Sequence, residues 1–429
     1  MGVALIYVLA CAVAVWSNIS ARVIPNGDMP RFYAGPTFPS GIVAGHDFWI
    51  TYNYSKVLIH GGNVNRLPET ISDQLKGYFS GPRGVLAYPP FVFTLYAPYT
   101  ALPYGTAYAL QSMFLFAANI AVVGLICSLL ARVQGIVGLE GILRQHLLFA
   151  VFGAVSFVGF MGYGYLFSLE RGNSDAFAML LLTAFLYRMV IKPGDVWGPA
   201  VLLSLAIHIK LTPLVFGAIL FWRYRFKCLI PLMVINTCLL FVWGPENALL
   251  FFRGIARFST SPDGWWGDHS IYSFATTVLK PLGFDVGFVK GLMSLIVVAM
   301  WGAAWVILWR RGFSVMNALL LYCVSVPVMM VLPNLSNDYK LVMLGGALTV
   351  FLGGFLCNYV ISGSKRSMGG LILLMGLLFP LSVSGGLLQT PWLINKCPLI
   401  LALMTVMMVI IVRPWGVFES RVSRSESSG

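Results

Sequence analysis

The sequence predicts an all-α, polytopic membrane protein, a single integral membrane domain over 1–429 built as a bundle of about twelve helices. Three observations carry that prediction. Of the 429 residues 58% are hydrophobic and 10% charged, where a soluble domain carries about 25% charged residues. The mean hydropathy is +0.83. Apolar runs of near-spanning length recur from one end of the chain to the other.

The candidate spans, in order, are 3–19, 105–131, 146–166, 174–190, 196–209, 211–223, 228–243, 287–309, 314–332, 339–361, 369–389 and 398–412. The first is read as a retained span, because no small-residue cleavage site and polar mature domain follow it. With the N-terminus inside, the short connections that face the cytoplasm receive Arg132, Arg144, Arg188, Lys192, Arg223, Arg225, Lys227, Arg310, Arg311, Lys365 and Arg366, as the positive-inside rule requires. The net charge of +13 therefore marks topology and not a nucleic-acid partner. Carboxylates distribute the other way. Asp28, Asp47, Glu69, Asp73, Glu170, Asp175, Glu246, Asp263, Asp268, Asp285 and Asp338 fall in outer loops or at outer helix ends, which predicts a polar chamber at the outer face.

Two long loops interrupt the apolar pattern. The first, 17–103, contains Gly45-His46-Asp47-Phe48-Trp49 and, after Tyr88-Pro89-Pro90, an aromatic segment over 91–102. That segment is too short to span, and its rings suit an interfacial or re-entrant helix. The second loop, 244–286, holds Trp265-Trp266-Gly267-Asp268-His269 and a short apolar helix ending at Leu279. No internal repeat is visible, which argues against the inverted halves of many transporters. The seven cysteines lie almost all inside apolar runs with no Cys-x-x-Cys, so neither a disulfide framework nor a metal centre is expected.

Several residues have the chemistry for a reaction at that chamber. Asp47, near the outer membrane surface and beneath a loop, is placed to take a proton from a hydroxyl as a general base; as an ordinary loop aspartate it would need no explanation. Lys210 stands between the two half-length runs 196–209 and 211–223, with Pro213 able to start the second. A cation inside the apolar layer needs a cavity or a partner. It either pairs with a carboxylate such as Glu170 or binds a lipid-carrier phosphate as a point charge. In Glu170-Arg171-Gly172-Asn173-Ser174-Asp175, Asn173 or Ser174 would cap a helix and Asp175 would sit in its first turn, whereas Arg171 has no such ordinary role. His46 and His269 are read as hydrogen-bond partners of a sugar or phosphate, and Trp266 as a stacking surface for a sugar ring or an interfacial anchor.

His46-Asp47-Phe48-Trp49 after the first span, Tyr88-Pro89-Pro90, Arg171-Gly172-Asn173-Ser174-Asp175 and Lys210-Leu211-Thr212-Pro213 occur in an order that resembles the GT-C-type polyprenyl-phosphate-sugar glycosyltransferases. Within them the chain is most similar to the alpha-1,2-mannosyltransferase-like group of glycosyltransferase family 87. The resemblance covers about residues 1–240, with a weaker likeness at His269 and at Asn337-Asp338-Tyr339-Lys340. The chain departs from the family where many members read Gly-Gln-x-Asn at Gly172-Asn173-Ser174-Asp175, and at Gly61-Gly62-Asn63-Val64-Asn65. The resemblance implies a GT-C-like helical bundle with outer-face loops and short interfacial helices. It further implies an inverting transfer of mannose, or of another hexose or pentose, from a polyprenyl-phosphate sugar to a lipid- or glycan-linked acceptor. The site would face the periplasm or exterior of a bacterial inner membrane. Asp47 would be the catalytic base and Lys210 and Arg171 the phosphate-holding cations. His46, Tyr88, Glu170, Asn173, Asp175, Trp266, His269 and Lys340 would complete the substrate site, and membrane lipids would surround the bundle. No cofactor, metal or nucleic acid enters this scheme. An O-antigen ligase or polymerase and a lipid-linked sugar flippase are the competing readings.

Overall fold

The structure, a computed structural model, describes residues 45–59, 88–133, 163–260, 268–334, 336, 338–362, 365–382 and 395–413. The span predicted at 3–19, most of the one at 146–166, and Trp266 lie outside the described residues. Within the described residues the chain is helical between its turns. The helices are α1 (His46–Ile59), α2 (Phe91–Tyr96), α3 (Tyr104–Val133), α4 (Tyr163–Arg171), α5 (Asp175–Ile191), α6 (Trp197–Ile209), α7 (Gly217–Tyr224), α8 (Leu229–Leu240), α9 (Gly244–Thr260), α10 (Ile271–Phe274), α11 (Val286–Arg310), α12 (Val315–Val331), α13 (Leu344–Ser362), α14 (Lys365–Ser382) and α15 (Cys397–Val412).

Tyr104–Arg132 and Val286–Arg310 are long and apolar enough to cross a membrane unaided. Thr212–Leu240 and Gly244–Ala256 reach that standard only together, as a pair bent by 98°. The remaining predicted spans found among the described residues are shorter helices, so length and composition support two or three spans there and not the predicted twelve. The run 211–223 shows why: Pro213 opens a tight 3₁₀ turn over Thr212–Phe216 before α7 begins. The loop predicted over 244–286 is also more ordered than expected. Ala248 and Phe251 form the buried side of α9 while Leu249, Phe252 and Arg253 are exposed, and the charges on this helix hide its period from a count of apolar residues.

Burial is arranged for a lipid environment. Every residue of α12 from Met316 to Val331 apart from Asn317 is buried, which makes it the central helix, with α11, α13 and α15 packed around it. On α11, Phe288, Leu292, Leu295, Ile296 and Val298 are exposed. Such a surface would be an aggregation liability in water and costs nothing against acyl chains, where helices associate through close packing and polar contacts. The protein is membrane-embedded. α5 and α6 form an antiparallel hairpin whose turn is closed by Asp195: its Oδ1 accepts from the Gly198 N–H at 2.9 Å and its Oδ2 from Arg188 Nε at 2.6 Å. The Gly198 N–H and the Arg188 guanidinium both hold the Asp195 carboxyl below its usual range. At the opposite end of α6, Lys210 is extended (φ −144°, ψ 132°), which stops the helix, and the turn that follows packs against α12 and α5.

Candidate functional site

The site grows from two glycines. Gly45 (φ 71°) and Gly172 (φ 64°) occupy the left-handed region, which costs a residue with a side chain about 1–2 kcal/mol. Space excludes a side chain as well. A Cβ on Gly172 would lie 2.6 Å from Phe48 Cβ, and one on Gly45 would lie 2.6 Å from the Tyr108 ring. These two turns therefore let the start of α1 sit directly on the α4–α5 connection.

Aromatic packing fixes α1 in that place. The Phe48 ring lies 5.6 Å from Tyr96, 5.4 Å from Tyr99 and 5.8 Å from Tyr104. Each such pair adds about 0.5–1.5 kcal/mol beyond its buried area. Tyr104 donates its hydroxyl to the Gly45 carbonyl at 3.2 Å, and Tyr108 to the Leu169 carbonyl at 3.0 Å. Gln111 donates to the Gly172 carbonyl at 3.2 Å. Tyr96, Tyr108 and Gln111 were not predicted as site residues. Their only signal is a fully buried amide in a long apolar span, where a polar side chain needs a partner.

With the backbone set, four elements converge. Asp47, in the first turn of α1, receives a hydrogen bond on each oxygen: Arg171 Nη2 at 2.7 Å on Oδ1 and Asn173 Nδ2 at 2.7 Å on Oδ2. Asn173 also accepts from the Asp175 N–H at 3.2 Å, so one amide both starts α5 and holds Asp47. Of the two capping candidates it is Asn173 that bonds to the first turn of α5, while the Ser174 side chain makes no cap bond. Lys210 has a carboxylate beside it, as a cation in the apolar layer requires. The ammonium lies 3.6 Å from Asp175 Oδ1, because the left-handed turn at Gly172 and the start of α5 bring Asp175 to the C-terminal end of α6. The side chain of Glu170, the partner expected from the sequence, is not among those described, nor is that of His46.

The Tyr88 ring covers Lys210, whose Nζ is 5.0 Å from the ring centre. Burial pushes the Tyr88 phenol up, with Lys210 partly offsetting it, so the hydroxyl remains a donor at neutral pH. Lys340, on the 3₁₀ turn Asp338–Met343 that packs against α4 and α5, is buried within electrostatic reach of Asp175, Lys210 and Asp268. The structure thus brings together Asp47, Tyr88, Arg171, Asn173, Asp175, Lys210 and Lys340. Asp47, Arg171 and Lys210 keep 10%, 18% and 12% of their side-chain surface exposed, enough to meet a ligand.

His269 has a different setting. It is fully buried, its Nδ1 accepts from the Lys396 N–H at 3.1 Å, and its own N–H donates to the Ser336 carbonyl at 2.6 Å. Beside it, Asp268 accepts from the N–H groups of Ser270 at 2.9 Å and Ser336 at 2.6 Å, and burial pushes its carboxyl up. These contacts tie three connections, around 268, 336 and 396, into one polar knot.

Gly172→Ala is expected to move Asp47 off Arg171 and cost about 10²-fold in turnover, the scale of loss when a reacting group is displaced by an ångström. Its thermal midpoint should fall as well. Gly105→Ala, where no atom lies within 4 Å of the added methyl, should leave both unchanged. Parallel thermal unfolding and turnover assays on the two variants check this, and an unaffected Gly172→Ala would remove the close approach from the account.

No curated protein matches the chain. The profile of glycosyltransferase family 87 matches residues 86–333, a stretch that includes Tyr88, Arg171, Asn173, Asp175, Lys210 and His269 and begins after Asp47. With a match over more than half of its 429 residues, this membrane-embedded chain, which assembles two carboxylates and three cations at a buried polar site, belongs to glycosyltransferase family 87.

Proposed function

We propose that this glycosyltransferase moves a sugar from a polyprenyl monophosphate to a hydroxyl of a lipid- or glycan-linked acceptor, with inversion, at the outer face of a bacterial inner membrane. The whole chain acts as one membrane domain. The observation that carries the reading is the convergence of Asp47, Arg171 and Lys210 from three separate elements, each with a little exposed surface. A sugar phosphate needs two things to react: neutralisation of the departing phosphate and removal of the acceptor proton. Lys210 and Arg171 supply the first and Asp47 the second.

In the structure Arg171 occupies Asp47 Oδ1. When the donor phosphate draws the guanidinium toward itself, that oxygen is released for the acceptor hydroxyl. Asn173 keeps the other oxygen fixed, so the carboxylate is aimed while it waits. The acceptor oxygen then attacks the anomeric carbon from the face opposite the phosphate, Asp47 takes its proton, and the polyprenyl phosphate leaves with both electrons of the broken bond. Tyr88, with its protonated hydroxyl and its ring over Lys210, closes the phosphate side against water. Outer-face placement is supported by the basic residues of the short connections, which lie at the opposite ends of the helices that carry the site.

The test is to incubate the purified protein with polyprenyl-phosphate mannose, glucose and arabinose and to follow the release of free polyprenyl phosphate. Release with at least one of them, dependent on an added acceptor, is expected. Transfer from a nucleotide sugar with no release from any polyprenyl donor would overturn the proposal.

A further inference from the structure

Asp175 is built differently from the other charged residues of the site. It has no exposed surface, and among the described residues neither carboxylate oxygen receives a hydrogen bond. Its place at the start of α5 gives it only the favourable end of the helix dipole. A carboxylate taken out of water under those conditions is costly, and it is kept where its charge has a use. Being sealed, Asp175 does not meet the donor itself. What it touches is the ammonium of Lys210, 3.6 Å away, and the Lys210 side chain keeps 12% of its surface open. Lys210 is faced by Asp175, by Tyr88 and by Asp47, and Lys340 approaches the same carboxylate.

We propose that Asp175 is a positioning residue that holds the Lys210 ammonium from its buried side and keeps it aimed, under the Tyr88 ring, at the open side of the site. The proposal rests on the reading of Lys210 as a contact of the donor phosphate. It has two effects of opposite sign. Asp175 offsets part of the Lys210 charge and draws the ammonium toward its buried side, so its removal strengthens the hold of Lys210 on the donor phosphate. Its hold on Lys210 aims the cation at the phosphate oxygen on which charge develops, so the same removal slows the chemical step. A merely structural residue would not separate binding from turnover in this way.

The experiment uses the full-length protein in lipid nanodiscs, with undecaprenyl phosphate as the binding probe and polyprenyl-phosphate mannose, or whichever donor of the panel is active, for turnover. Asp175→Asn is expected to bind the probe at least about threefold more tightly and to turn over at least about tenfold more slowly. In a Lys210→Met background the same change should leave probe binding where Lys210→Met alone puts it. Weaker binding together with slower turnover, or an Asp175→Asn effect on binding that persists without Lys210, overturns the positioning role. If Asp175→Asn does not fold, Asp175→Glu decides, since it keeps the charge but moves it by one methylene. Unchanged probe binding with slowed turnover supports the proposal, and wild-type turnover rejects it. Wild-type probe binding by Lys210→Met would instead reject the phosphate reading of Lys210 and the proposal with it, an outcome distinct from a failure at Asp175 alone.

Discussion

Asp47→Asn is expected to abolish transfer, with a loss of about 10³-fold, within the range that general-base catalysis supplies. The amide keeps the shape of the carboxylate, and its oxygen still accepts from Arg171 or Asn173, which both donate to Asp47. Folding and donor binding should therefore stay close to those of the wild type. What the amide lacks is a place for the acceptor proton. Measured with saturating donor, the loss should lie in kcat, and undecaprenyl phosphate binding should change by less than about threefold. Turnover at the wild-type rate would remove Asp47 from the mechanism, and a loss of yield equal to the loss of rate would make its role structural.

Lys210→Met should have an effect of comparable size, about 10²–10³-fold, because a preorganised charge is worth most where negative charge develops in a dry site. The loss in kcat/KM should exceed the loss in phosphate binding, since the cation gains value as the sugar–phosphate bond breaks. Lys210→Arg should recover part of the rate, with the charge preserved and its geometry altered. Stability complicates the single variant. Removing one partner of a buried ion pair costs about 3–5 kcal/mol through the charge left behind, and here that charge is Asp175, which among the described residues has no other bond to its oxygens. Lys210→Met with Asp175→Asn removes both charges and should recover yield without recovering turnover. Normal turnover in that double variant would show that the pair is only structural.

Much of the frame was legible in the sequence because apolar runs report burial directly. The span predicted over 105–131 is α3, and those over 174–190, 196–209 and 287–309 are α5, α6 and α11 within a residue or two at each end. The break at Lys210 was legible for a similar reason: a charge followed by Pro213 interrupts two apolar runs. Asp47 was identified as a loop residue, yet it stands in the first turn of a helix of 14 residues. The segment from His46 to Ile59 mixes aromatic and β-branched residues with polar ones on every side, so its period does not announce a helix; its stability comes from the Tyr96, Tyr99 and Tyr104 rings, which arrive from about fifty residues away. That Asp175 stands beside Lys210 was equally hidden. It depends on the left-handed turn at Gly172 ahead of α5, a backbone feature that residue type permits without dictating. Gln111 escaped notice because one amide in a long apolar span reads as a tolerated exception until its partners, the Tyr96 hydroxyl and the Gly172 carbonyl, are seen beside it.

The polar knot around His269 bears on how the molecule is made. Its last members come late in the chain: Asn395 donates to the Asp268 carbonyl at 2.9 Å, and Lys396 donates its backbone N–H to His269 and its ammonium to the Leu381 carbonyl at 3.0 Å. None of these bonds can exist until the ribosome has passed residue 396 and α15 has entered the membrane beside α12. Up to that moment the newly inserted segments near 268 and 336 hold each other through Asp268, His269 and Ser270 on one side and Ser336 and Asn334 on the other, with Lys340 only four residues beyond Ser336. The helices that carry Asp47, Arg171 and Lys210 are therefore all made before the residues that complete the knot.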